Sequence, residues 1–263
     1  MDMIWVMIKK ELKQYFISPI AYVVMMIYLT LSGFFFFTNM QTFSDQYQRL
    51  KNISQYMQDP SVLAQFNLNG MVIAPSLGSM LFVFLYILPL VMMRSLAEEE
   101  KQKTDELLRT SPMTLNQVIA GKFLGSLSFV LIMFLPTLVF MSMLFMYSSP
   151  EWGPLITGYV GLTLFAGVGV AIGLFASSLT ENQIIAAVIA FVLLMILLMV
   201  DRLTMSMADR DIITGVLSYL SIGGHVSNML RGVIDSRDIV YFISFMFFFL
   251  FMTRRTMEAK GWR

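Results

Sequence analysis

The chain has 263 residues, of which 57% are hydrophobic and only 13% charged; an ordinary soluble domain carries about 25% charged residues, so the balance points to a membrane protein. A formal net charge of +1 gives no electrostatic ground for a nucleic-acid partner. No cysteine is present and His225 is the single histidine, which excludes a disulfide framework, a zinc–thiolate site and an iron–sulfur cluster and leaves no histidine-rich metal or haem site.

Residues 1–18 are amphipathic. Trp5, Ile8, Leu12 and Tyr15 recur at helical spacing, with Lys9, Lys13 and Gln14 facing elsewhere. This predicts a helix lying in the membrane interface with its basic side toward anionic head groups, or equally a plain positive-inside anchor for the first span; the two are compatible. Ser18-Pro19 opens a first span at about 19–38, too long for a signal peptide and without a small-residue cleavage site before Phe34 to Phe37. Residues 41–70 read as a loop holding a short surface helix with the stripe Phe43, Tyr47, Leu50, Ile53 and Met57.

A second span follows at about 71–93, and then a charge-dense segment, 94–122. Glu98 with Lys101 and Glu99 with Lys103 are spaced as favourable helix pairs. Leu107 and Leu108 follow, and Ser111-Pro112 breaks the helix. Thr114 with Gln117 then forms a capping box that starts the next helix. A plain connector would be shorter, and an exposed Leu pair needs a partner to cover it, so the segment reads as a protein-docking surface.

Further spans are expected at about 123–147 (with Pro136 inside), 154–178 and 184–200. Residues 201–238 read as a re-entrant helical hairpin. One stripe is Ile212, Val216 and Leu220, the other Val226, Met229, Leu230 and Val233, and the reversal is placed at Gly223-Gly224. His225 sits beside that reversal and receives no role. A sixth span, 239–252, has an uncharged stretch between Asp238 and Arg254 that is short for a crossing helix. The fold class is therefore an all-α integral membrane protein, one transmembrane domain with six spans, none containing Asp, Glu, Lys, Arg or His. With the N-terminus inside, lysine divides seven inside to one outside, which places both termini in the cytoplasm.

Four stretches carry a resemblance: KKELKQYFISPIAYVV at the start, AEEEKQKTDELLRTSPMTLNQVIAGK after span two, the fourth span with Gly167, Gly169 and Gly173 followed by Ser177 and Ser178, and YLSIGGHVSNMLRGVIDSRDIVYF before span six. In these the chain resembles the type-2 ABC exporter permeases and, within that family, the gliding-motility and nitrous-oxide-reductase-maturation permeases. Glu98, Glu99, Thr104, Glu106, Leu107, Leu108, Ser111, Pro112, Gly121 and Lys122 fall where that family repeats similar residues. The resemblance implies a bacterial inner-membrane permease acting as a dimer, homomeric or with a second permease, docked on two copies of a cytoplasmic ATPase. It implies a coupling helix within 94–122 and an outer hairpin, with Leu220, Gly223, Gly224, Met229 and Leu230, capping the translocation path; an extracellular or accessory membrane protein is a further expected partner.

The pattern GxxxxGK[ST] is absent: Asn116 stands where the first Gly belongs and Phe123 follows Gly121-Lys122. ATP and Mg²⁺ are therefore expected in the partner subunit, with no cofactor in this chain. An ion-coupled secondary transporter would place ionisable groups at mid-membrane, and an intramembrane enzyme would need a catalytic group set. The spans offer neither pattern; Glu181 and Asp201 stand singly at span ends.

Overall fold

The computed structural model describes residues 2–57, 67–104, 113–148, 150–206 and 219–261. Among them the regular elements are all helical: α1 (Asp2–Ile17), α2 (Pro19–Met57), a single π-helical turn (Asn69–Ile73) running into α3 (Ala74–Met92), α4 (Ala97–Lys101), α5 (Leu115–Phe134), α6 (Thr137–Tyr147), α7 (Trp152–Leu179), α8 (Gln183–Ser206), α9 (Ile222–Leu230) and α10 (Ser236–Ala259). Six units are long and apolar enough to cross a membrane: α2, α3, α5 with α6, α7, α8 and α10. Hydrocarbon imposes this architecture, because a helix satisfies its backbone polar groups within itself.

Helix α7 is the hub and packs against α3, α5, α8, α9 and α10. Its small residues make this geometry accessible. A Cβ on Gly169 would overlap Leu88, and one on Gly173 would overlap Met92, so both glycines seat α3. On another face, a Cβ on Gly167 would lie 2.5 Å from Met246 Cε of α10. Small residues of this kind let membrane helices approach backbone to backbone. Around this hub, α2, α8 and α10 turn Val23, Phe34, Ile184, Val188, Phe247 and Phe251 outward, an apolar girdle suited to lipid or to a second membrane subunit.

Four sequence expectations change. The surface helix expected after span one is the continuation of α2, a single helix of 39 residues, about 58 Å long at 1.5 Å per residue. Phe43, Tyr47, Leu50 and Ile53 keep the helical phase of the span, and no Pro or Gly interrupts the chain from Phe34 to Met57. The third span is divided by Pro136, which has no N–H to continue the ladder. There the Thr137 hydroxyl donates to the Phe134 carbonyl (2.7 Å) and lies 2.9 Å from the Tyr159 hydroxyl of α7.

The sixth span is a full 24-residue helix, α10; Asp238 and Arg254, expected to bound it, lie within it. Asp238 is buried and faces His225 Nδ1, while Arg254 Nε donates to Glu258 at 2.7 Å. Finally, Gly223 and Gly224 are not a reversal. They form the first turn of α9, and the chain turns after Leu230 at Gly232, whose φ of +94° suits glycine and which abuts Pro154. Ile222, Val226 and Met229 form the buried stripe of α9, with Met229 set against Gly161 of α7; Leu220 and Val233 are exposed. Ile212 and Val216 lie outside the described residues.

Candidate functional site

The site is built where α1 meets α5. Gly121 and Gly125 are four residues apart on one face of α5, and α1 lies across them. A Cβ on Gly121 would come within 2.6 Å of Met7, and one on Gly125 within 2.7 Å of Glu11. Close seating buries the α1 face made by Met7, Ile8 and Glu11. The seam continues through Tyr15, which stacks on Phe129 (centroids 4.6 Å) and whose hydroxyl lies 3.0 Å from Ser126 Oγ. Burial raises the pKa of the Tyr15 phenol, with the Glu11 carboxylate acting in the same sense, so it sits there neutral.

The expected stripe of Trp5, Ile8, Leu12 and Tyr15 is thus rotated. Trp5 is 56% exposed and lies outside the seam; Leu12 is half-buried. Lys9 and Lys13 are exposed, and Lys9 Nζ stands 5.4 Å from the centre of the Trp5 ring. This leaves α1 two-sided: one face is bonded to the bundle, and the other, with Trp5, Lys9 and Lys13, is exposed.

Bringing α1 onto α5 places Glu11 against Lys122, the residue beside Gly121. Lys122 is 1% exposed. Its ammonium lies 2.9 Å from Glu11 Oε1 and 2.9 Å from Glu99 Oε2, and donates to the Ser95 carbonyl at 2.7 Å. Glu99 also accepts from Lys10 at 2.9 Å. Two carboxylates and two ammonium groups therefore balance within one cluster that joins α1, α4 and α5. Such a cluster is conditional: complete, it is tolerated, but losing one member strands a buried charge.

The same short helix is tied on its other sides. Ser177, fully buried near the end of α7, accepts hydrogen bonds from the Leu96 and Ala97 N–H groups, both 2.9 Å. These are among the donors that a helix start leaves unpaired. Lys260, just past α10, donates to Glu100 at 2.7 and 2.8 Å. After Lys101 the chain closes with Thr104 N–H donating to the Glu99 carbonyl and Lys103 N–H to that of Glu100, and Lys103 itself takes φ +56°. This is the left-handed helix ending usually given to glycine.

The residues assigned to docking are distributed as follows. Glu98 is half-buried, accepts from Gln102 at 3.1 Å and faces Arg94 at 4.0 Å. Glu99, expected to pair with Lys103 and meet a partner, is turned inward to Lys122 and Lys10, because Gly121 opens the space that brings α1 and its charges alongside. Thr104 is half-buried, with its hydroxyl donating to the Glu99 carbonyl at 3.3 Å. Lys101, Gln102 and Lys103 form the exposed face. Glu106, Leu107, Leu108, Ser111 and Pro112 lie outside the described residues. Beyond them the expected start of α5 is present: the Thr114 N–H donates to Gln117 Oε1 at 2.9 Å.

Sequence reasoning missed Lys10, Glu11, Ser95 and Lys260 as members of this junction. Glu11 carries a signal, since it occupies the helical phase of Met7, Ile8 and Tyr15. The Gly121-Lys122 pair lies within α5 with its Lys buried, far from the open backbone cradle of a phosphate loop. Among the described residues no three His, Cys, Asp or Glu are grouped to hold a metal. The junction fixes α4 to α1, α5, α7 and the end of α10 by charge and hydrogen bonds. A family model described as "ABC-2 family transporter protein" matches residues 5–253. No curated protein matches the chain.

Proposed function

The chain belongs to the ABC-2 transporter family, and from that premise we propose that it is the permease subunit through which a separate ATPase drives export of a substrate, or conformational work, across a bacterial cytoplasmic membrane. Both termini face the cytoplasm in this reading, as the lysine distribution favours. Two ATPase subunits dock on segment 94–122 of two permease chains, a homodimer or a pair with a second permease. The ATP and Mg²⁺ reside in the ATPase, and this chain hydrolyses nothing.

The observation that carries the reading is the fourfold anchoring of α4. A lever is useful only if it cannot move without moving something else. The Lys122–Glu99 pair passes a displacement of α4 to α5, the Lys10 bond to α1, the Ser177 bonds to α7 and the Lys260–Glu100 bond to α10. ATP-driven closure of the docked subunits would then bias the bundle between two packings. Coupling of this kind is reciprocal, so bound cargo alters nucleotide affinity in turn. Helix α9, with Met229 and Leu230, covers the opposite end of the path.

Co-expression with an ABC ATPase from the same genome tests this. The wild-type chain should retain the ATPase through affinity purification, while Leu107→Asp or Glu106→Lys should release it or abolish the permease-dependent change in ATP hydrolysis. Retention and hydrolysis unchanged in both variants would overturn the docking role.

A further inference from the structure

Beside the charge cluster lies a cavity of about 240 Å³ between the end of α1, the start of α2 and the end of α3. Its lining is divided. Ala21, Val24, Val91 and Phe129 make an apolar floor, and the exposed side chains of Ile17, Ile20 and Leu90 continue from its rim onto the lipid-facing surface. Its polar lining includes Glu11, Glu98, Arg94 and Ser95.

Two polar atoms there lack a hydrogen-bond partner. Ser95 is 7% exposed, and its hydroxyl has no hydrogen-bond partner among the described residues. Arg94 Nε has none either, with the Glu98 carboxylate at 4.0 Å, beyond hydrogen-bond reach. Both are donors. Buried donors are nearly always satisfied, so an unsatisfied pair at one cavity calls for an acceptor. A phosphate suits both, since guanidinium and hydroxyl each donate to its oxygens. The two carboxylates then decide the rest of the ligand. A head group with phosphate alone would bring a further negative charge toward Glu11 and Glu98. A primary ammonium placed beside the phosphate offers three N–H donors to those carboxylates, whereas a quaternary ammonium offers none.

We propose that this cavity holds the phosphate–ammonium head group of a zwitterionic aminophospholipid, its acyl chains leaving over Ile17, Ile20 and Leu90. The position fits, because the cavity opens where the amphipathic α1 gives way to the first span, at the depth of head groups. The site stands whether or not segment 94–122 docks an ATPase.

The test is native mass spectrometry of the purified chain incubated with equal amounts of phosphatidylethanolamine, phosphatidylglycerol and phosphatidylcholine. The wild type should retain one phosphatidylethanolamine per chain in preference to the others. Arg94→Gln and Ser95→Ala remove a donor each, and loss of a charge-assisted bond corresponds to about a tenfold or greater fall in retention for Arg94→Gln. Ala21→Phe fills the floor and should have the same effect without touching a charge. Equal retention of the three lipids, or retention unchanged in Arg94→Gln, would overturn the proposal. Displacement by water-soluble glycerophosphoethanolamine at concentrations equal to the lipid would overturn its lipid source, because the apolar floor would then contribute nothing.

Discussion

Lys122 illustrates how a single side chain organises this protein. It sits in the interior with two carboxylates within 2.9 Å, and each of the three needs the others. Substituting Lys122 by Met keeps the volume and leaves Glu11 and Glu99 facing each other; losing one member of a buried ion group costs about 3–5 kcal/mol. The expected outcome is a chain that aggregates at markedly lower temperature in detergent, read by fluorescence-detected gel filtration. Adding Glu11→Gln should restore part of the loss, since it removes one stranded charge; absence of any recovery would argue that the two residues do not act together. Lys103 offers a test of opposite sign. Its φ of +56° is strained for a side chain with a Cβ, so Lys103→Gly should raise stability by about 1 kcal/mol, measurable as a higher aggregation temperature. Lys122 and Glu11 were both missed from sequence, although Glu11 shares the helical phase of Met7, Ile8 and Tyr15. A Lys after a Gly reads as an exposed interface charge, and Glu11 among Lys residues reads as one more solvated position; only the packing of α1 on α5 turns both inward.

At the scale of elements, periodicity served where hydrocarbon dictates the pattern and failed where protein covers protein. The six spans were legible because about 20 apolar residues without charge have one physical reading. The extent of α2 was not, because a helix leaving the bilayer changes composition without changing phase, and Thr38 to Asn52 looks like an end while remaining helical. Gly223-Gly224 likewise reads as a turn, yet α9 forms through it because Ile222, Val226 and Met229 are buried against the hub. The seating of α1 rests on Gly121 and Gly125, so Gly125→Leu should lift α1 from α5. Limited proteolysis should then remove α1 faster than in the wild type; an unchanged rate would show that α1 is held by its charges alone.

For the whole molecule, the dense packing around α7 and the fourfold attachment of α4 make one continuous path from the segment after span two into the bundle. What sequence supplied at this scale was the family resemblance and the charge asymmetry. It could not supply the path itself, which depends on residues as distant as Lys10, Ser177 and Lys260 converging on five residues of α4. In the proposed function this segment faces the cytoplasm and touches an ATPase. Because the natural chain has no cysteine, one placed at the exposed Lys101 is a unique probe. In membranes holding permease and ATPase together, Lys101→Cys should cross-link to the ATPase subunit through a short bifunctional maleimide and stay unlabelled by an impermeant maleimide added outside. Labelling from outside with no cross-link formed would contradict the account at its centre.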